Sequence, residues 1–190
     1  MIDKDWHAIP VKGMIDPAPY TQGPPKERGK LNYDKRGELT HHEHTEMQVN
    51  GSVARYGIPL LRPAHQDIQQ AVQKIIGEKL YPTYYYDRFY FRGQELARHT
   101  DRGACEISVT VNISHNLDYD WPIYFELPGG EVREFVMQPG DGVIYHGITL
   151  PHWREPMRGG ADSYFHQCFF HYVRADGDFL QHAFDMGGPG

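Results

Sequence analysis

The residues of this chain best suited to chemistry are His99 and Asp101, two positions apart, and His152, far along the sequence. In an extended strand residues i and i+2 project to the same side, so the imidazole of His99 and the carboxylate of Asp101 can aim at one point. His152 would complete a set of two neutral imidazoles and one carboxylate on one face of a metal ion. Such a set leaves coordination positions vacant on the opposite face. A redox-active iron held this way can be chelated by a keto acid and still accept dioxygen, which a closed tetrahedral site cannot do. Taken alone, a His and an Asp two apart are equally well read as a hydrogen-bonded surface pair.

The elements that must position these residues are strands. After Pro82 the sequence runs through strand-like segments at Thr83 to Phe91, Glu106 to Ile113, Ile123 to Leu127, Val132 to Met137, Gly142 to Tyr145 and Tyr164 to Val173. They are punctuated by Arg92-Gly93, Pro128-Gly129-Gly130 and Pro139-Gly140-Asp141-Gly142, all turn signals. A helix is expected from Ala64 to Leu80, where Ile68, Ala71, Val72, Ile75, Ile76 and Leu80 recur at helical spacing and Pro63 suits the first turn. A first strand is expected around Gln48 to Tyr56. Residues 1–45 are rich in Pro, Gly and charge and read as an irregular arm, anchored by Trp6, Tyr20 and Tyr33. One domain is expected: the arm, a strand and supporting helix over 46–82, a β core over 83–175 and a tail over 176–190. One helix followed by many short strands points to a mainly β sandwich or barrel with a helix packed outside it.

Composition narrows the function further. At 190 residues with a net charge of -6 and a pI near 6.0, the chain lacks the clustered basic charge of a polyanion binder, so no nucleic acid partner is expected. Its apolar runs are too short to cross a bilayer and the N-terminus shows no signal layout, which places the expected location in the cytoplasm without a membrane partner. Cys105 and Cys168 sit in strand-like runs, where free thiols pack as small hydrophobes.

Tyr90, the Gly93 turn, His99, Asp101, the Pro139-Gly140-Asp141 turn, His152 and Pro156 occur in an order that resembles the 2-oxoglutarate and iron(II)-dependent dioxygenases, in particular the prolyl-hydroxylase-like branch. The resemblance covers about Thr83 to Val173. It implies a double-stranded β-helix, a jelly-roll or cupin-like barrel. It also implies iron(II), 2-oxoglutarate and dioxygen as the reacting set, ascorbate as a stimulant, and hydroxylation of an unactivated C–H bond in a prolyl, other peptide or small-molecule substrate. Pro156 favours His152 over His146 as the third ligand. In one respect the chain departs from the pattern: the family places an Arg or Lys about ten residues beyond the distal His, where this sequence reads Gly159 to Gln167 without either. The far carboxylate of 2-oxoglutarate then needs another donor, for which Tyr90, Arg154 and His166 are candidates.

Arg102, Trp121, Tyr124 and Trp153 lie near the ligands in sequence and are expected to shape the substrate cleft. His41-His42-Glu43-His44 reads as an exposed polar stretch, and His171 as a hydrogen-bonded core residue. Two other readings stay open: a cupin-like metal dioxygenase or isomerase that uses no keto acid, and a non-catalytic β-barrel module with a structural metal.

Overall fold

The computed structural model describes residues 6–185, in which twelve strands and one α-helix carry the regular structure. The helix, α1, spans Arg62–Ile76 and buries Ala64, His65, Ile68 and Val72, with Pro63 in its first turn. It stops four residues short of the expected Leu80 because Gly77 takes a left-handed φ of 75° and donates its N–H to the Gln73 carbonyl at 2.9 Å. Leu80 instead opens a long strand.

The strands are β1 (Ala8–Val11), β2 (Gly29–Tyr33), β3 (Leu39–Glu43), β4 (Val53–Tyr56), β5 (Leu80–Phe91), β6 (Leu96–His99) and β7 (Ile107–His115). They continue with β8 (Ile123–Glu126), β9 (Val132–Phe135), β10 (Gly142–Tyr145), β11 (His152–Arg154) and β12 (Tyr164–Arg174). An eight-stranded sheet runs β1-β10-β7-β12-β5-β4-β2-β3, and a four-stranded sheet runs β6-β11-β8-β9. The pairings are antiparallel apart from β2 with β4. The sheets face each other through contacts such as Phe125 against Tyr145 and Tyr145 against His152.

The expected irregular arm is largely structured. β1 adds to one edge of the large sheet and β2 and β3 to the other. These strands have four or five residues each, and β1 pairs with β10, more than a hundred residues away, so no local period announces them. Trp6 is buried in the core, and the Asp141 carboxylate accepts bonds from the Gly13 N–H at 3.0 Å and Lys12 Nζ at 2.7 Å, tying the arm to the Pro-Gly-Asp turn. The first expected strand shortens to β4. Of the C-terminal tail, residues 176–185 include a single 3₁₀ turn, Leu180–His182. Residues 1–5 of the arm and 186–190 of the tail lie outside the described residues.

The central strands bury both faces, but the faces differ. On β7, Ile107, Val109, Val111 and Ile113 join Cys168, Phe170 and Tyr172 of β12 and Tyr85 of β5 in a cluster packed under α1. Successive residues alternate across a strand. Ser108, Thr110 and Asn112 therefore face the barrel interior, with Tyr84, Tyr86, Arg88 and Tyr90 of β5 and Phe165, Gln167, Phe169 and His171 of β12. One apolar seam thus lies between the large sheet and α1, a second, with Ile123, Phe125, Leu127, Val143 and Leu150, fills the space between the two sheets, and the rest of the interior is polar and aromatic.

His65 illustrates the cost of a titratable group in that seam. Its ring lies among Tyr85, Phe170 and Tyr172, and burial lowers its pKa to about 4 against the small opposing effect of the His171 carbonyl. With the folded pKa below the unfolded value of about 6.5, the unfolded chain takes up the proton first. Stability is therefore complete above pH ~6.5 and falls as the pH drops toward 4. Urea unfolding should show the wild type losing about 2 kcal/mol more than His65→Gln between pH 7 and pH 5; equal losses would mean that His65 does not titrate in this way.

Candidate metal centre

β6 ends on His99, and β11 begins on His152 directly opposite it in the register. Asp101 follows β6 by two residues and its N–H is held by the Gly147 carbonyl at 2.8 Å. The three side chains meet: Asp101 Oδ1 lies 3.5 Å from His99 Nε2 and 3.6 Å from His152 Nε2, and all three donor atoms fall within 4.8 Å of one another. Divalent metals bind such donors at ~2.1 Å, which at right angles spaces them about 3 Å apart, so a small inward movement suffices.

Local backbone fixes the rings. His99 Nδ1 donates to the Ala97 carbonyl at 2.8 Å and His152 Nδ1 to the Leu150 carbonyl at 2.9 Å. Both imidazoles are thereby held with Nε2 unprotonated and aimed at the shared point, the form a metal requires. Burial pushes the Asp101 carboxyl up, but its contacts with the His99, His152 and His171 rings outweigh this, and its pKa is lowered. Burial lowers the His152 pKa, with Asp101 opposing. For His99, burial is outweighed by Asp101 and the pKa is raised. The donor set therefore fits a divalent cation: one anion, two imidazoles, and a side open to a cavity.

No family model and no curated protein matches the sequence. Solved structures do match. The non-heme alpha-ketoglutarate-dependent epimerase SnoN from nogalamycin biosynthesis aligns with a TM-score of 0.61 and 14% identity over 97% of this chain and 84% of that one. The viral collagen prolyl hydroxylase of Paramecium Bursaria Chlorella virus-1 aligns at 0.57 and 12% identity, over 90% and 97%. A 2OG-Fe(II) oxygenase family oxidoreductase from Burkholderia pseudomallei aligns at 0.51 and 15% identity, over 62% of this chain and 56% of that one. The chain has the double-stranded β-helix fold of these oxygenases. At such identities the likeness is one of fold.

Within the oxygenase fold the other residues singled out in the sequence fall into separate groups. Tyr90 and Arg154 point into the barrel. Arg154 lies two residues past His152 on the same face, 1% exposed, with its guanidinium 4.5 Å from the Trp121 ring centre and 4.7 Å from that of Phe165. It donates through Nη1 to the Trp121 carbonyl, while its Nε and Nη2 have no partner and no acid pairs with it among the described residues. Burial lowers its pKa to about 10, against the effect of Tyr90, Tyr119 and Tyr145.

His166 is a correction. It occupies an outward position on β12, stacks on Phe89 at 3.9 Å and donates to the Asp87 carboxylate at 2.8 Å, which Arg55 also grips. The strand parity that sends Gln167 inward sends His166 to this ion cluster on the other side of the sheet. Tyr124 and Trp153 are a second correction. They are cross-strand partners with stacked rings on the face of the small sheet opposite His152, away from the barrel. Trp121 packs in the core edge-on to Tyr90 and Phe165. Arg102 does line the cavity beside the metal donors, 4.6 Å over the Tyr84 ring. His146, the rival ligand, packs edge-on against Trp6 at 4.0 Å.

Several interior residues escaped sequence reasoning. Arg88 on β5 forms an ion pair with Glu46 at 3.1 Å and donates to Gln48 Oε1 at 2.8 Å, and Gln48 Nε2 in turn donates to His99 Nε2 at 3.0 Å. A metal bound to that nitrogen takes its lone pair, so the Gln48 amide must then turn away. His171 lines the cavity as well, its pKa lowered to about 4 by burial. The available signal was the β5 pattern Tyr84, Tyr86, Arg88, Tyr90, which places a cation on the same strand face as the family-matched tyrosine.

Proposed function

We propose that this protein is an iron(II) and 2-oxoglutarate-dependent oxygenase that hydroxylates an unactivated C–H bond of a small-molecule or peptide substrate. The observation that carries this reading is the convergence of His99 Nε2, His152 Nε2 and one Asp101 oxygen, with both rings locked by backbone carbonyls. Iron(II) in such a set supplies the oxidising chemistry when 2-oxoglutarate and dioxygen are bound to its open side. The chain's own residues would position the reactants and exclude water.

For the cosubstrate, the orphaned polar atoms are informative. Among the described residues, Arg88 Nε, Asn112 Oδ1, Arg154 Nε and Nη2 and Gln167 Oε1 are buried without partners, and all belong to inward-facing side chains. Buried polar groups are ordinarily satisfied, and a buried cation ordinarily has an anion. A dicarboxylate reaching inward from the metal donors would supply an acceptor for the arginine N–H groups and an anion for Arg154, and no donor for the two amide oxygens. Arg154 takes the distal carboxylate in this reading, in place of the cation missing from β12, while the Tyr90 hydroxyl accepts from Arg88 Nη1 at 3.5 Å. Arg88, already paired with Glu46, borders the path.

Anaerobic titration with iron(II) and then 2-oxoglutarate should produce a visible metal-to-ligand charge-transfer band. Saturating both without a band would overturn the proposal and favour a metal enzyme of the same fold that uses no keto acid.

A further inference from the structure

From the metal donors a cavity of about 640 Å³ opens to the surface, the size of a small-molecule site. Tyr56, Tyr84 and Tyr86 form one wall, with Cys105 and His171 beside them. The rings of Tyr56 and Tyr86 stack at 4.5 Å and 15°, and Tyr84 lies within 13° of the Tyr86 plane. Burial pushes all three phenols above their usual range, so the wall is uncharged.

His171 is 2% exposed and borders both this cavity and the small space beside the metal donors. Its Nδ1 lies 2.9 Å from Ser108 Oγ, which is itself 3.1 Å from Asp101 Oδ2 and 3.2 Å from the Cys105 carbonyl. A serine hydroxyl has one proton to give. The carboxylate and the carbonyl can only accept, so the arrangement that satisfies most groups sends the serine proton to them and has His171 donate from Nδ1. Nε2, on the far side of the ring, is then a lone-pair acceptor, and it has no partner among the described residues. A buried acceptor left in that state is costly unless a ligand fills it.

We propose that His171 is the specificity-determining residue of the substrate cavity, its Nε2 accepting a hydrogen bond from a hydroxyl carried on a planar ring system that lies along the tyrosine wall. The assignment rests on the function proposed above for its choice of substrate cavity. Aromatic walls gather flat rings by area and quadrupole. A prolyl residue fits poorly, because it brings neither an N–H nor a hydroxyl to His171.

The test uses equilibrium binding, with 2-naphthol and 2-methoxynaphthalene as probes followed by their own fluorescence on the full chain loaded with manganese(II) and 2-oxoglutarate. The wild type should bind the hydroxylated probe about tenfold more tightly than the ether, the worth of one hydrogen bond to a buried acceptor. His171→Phe should lose that preference and His171→Gln, which retains an acceptor, should recover part of it, with circular dichroism reporting that each variant is folded. Equal binding of the two probes to the wild type, or a preference that survives in a folded His171→Phe, would overturn the proposal. Failure of the oxygenase reading shows elsewhere, as a missing charge-transfer band with iron(II) and 2-oxoglutarate.

Discussion

Replacing Asp101 by alanine should reduce metal affinity by well over 100-fold, a larger loss than the 10–100-fold typical of removing an outer hydrogen-bond partner. Asp101 supplies the one negative charge of the donor set, and its carboxyl bridges the gap between two rings on opposite strands. Calorimetric titration with manganese(II), alone and with 2-oxoglutarate, measures the loss directly, and Ser108→Ala, which removes a partner of Asp101 Oδ2 and leaves the three donor side chains in place, should fall in the smaller range. Binding in the wild type should weaken as the pH falls, because the raised pKa of His99 lets a proton compete with the metal for Nε2. An Asp101→Ala protein that still binds manganese(II) with wild-type affinity would show that the ion sits elsewhere.

Arg154→Met should separate stability from cosubstrate binding with opposite signs. A fully buried guanidinium without an acid is expensive in the empty protein, and an apolar side chain of similar length removes that cost. The thermal midpoint of the metal-free protein should therefore hold or rise. In the same variant the 2-oxoglutarate concentration needed for the charge-transfer band should increase by about 100-fold or more, the 2–5 kcal/mol expected when one partner of a buried charge pair is lost. Manganese(II) affinity without 2-oxoglutarate should change little, since Arg154 is not a ligand. If Arg88→Met raises the requirement while Arg154→Met does not, the distal carboxylate belongs to Arg88. Such a protein would also be expected to lose stability, because Glu46 would be left buried without its cation.

The convergence of His99, Asp101 and His152 was legible in the sequence because its determinants are short: an HxD step at a strand end, a Pro-Gly-Asp turn and a histidine on the returning strand. The long strands were legible for the same reason, since β5, β7 and β12 are continuous runs of β-branched and aromatic residues. What escaped was whatever depends on parity or on distant pairing. His166 and Gln167 are adjacent and chemically plausible alike, and only the pairing of β12 with β5 decides which of them faces inward. Trp153 follows His152 by one residue, and that single step is enough to turn it to the far face. The arm strands carry no period of their own and exist because distant edges accept them. The contact of Gln48 with His99 spans 51 residues and has no signature in either segment.

The polarity of β7 has a consequence for how such a molecule can diversify. Its isoleucines and valines face the helix layer, so one large apolar cluster is built on the far side of the sheet from the candidate site, with a single strand thickness between them. Exchanges among Tyr56, Tyr84, Tyr86 and His171 would redraw what the chamber accepts and leave the aliphatic seam beneath α1 untouched. New selectivity is therefore available to this architecture without the loss of foldedness that ordinarily accompanies rewriting the middle of a small protein.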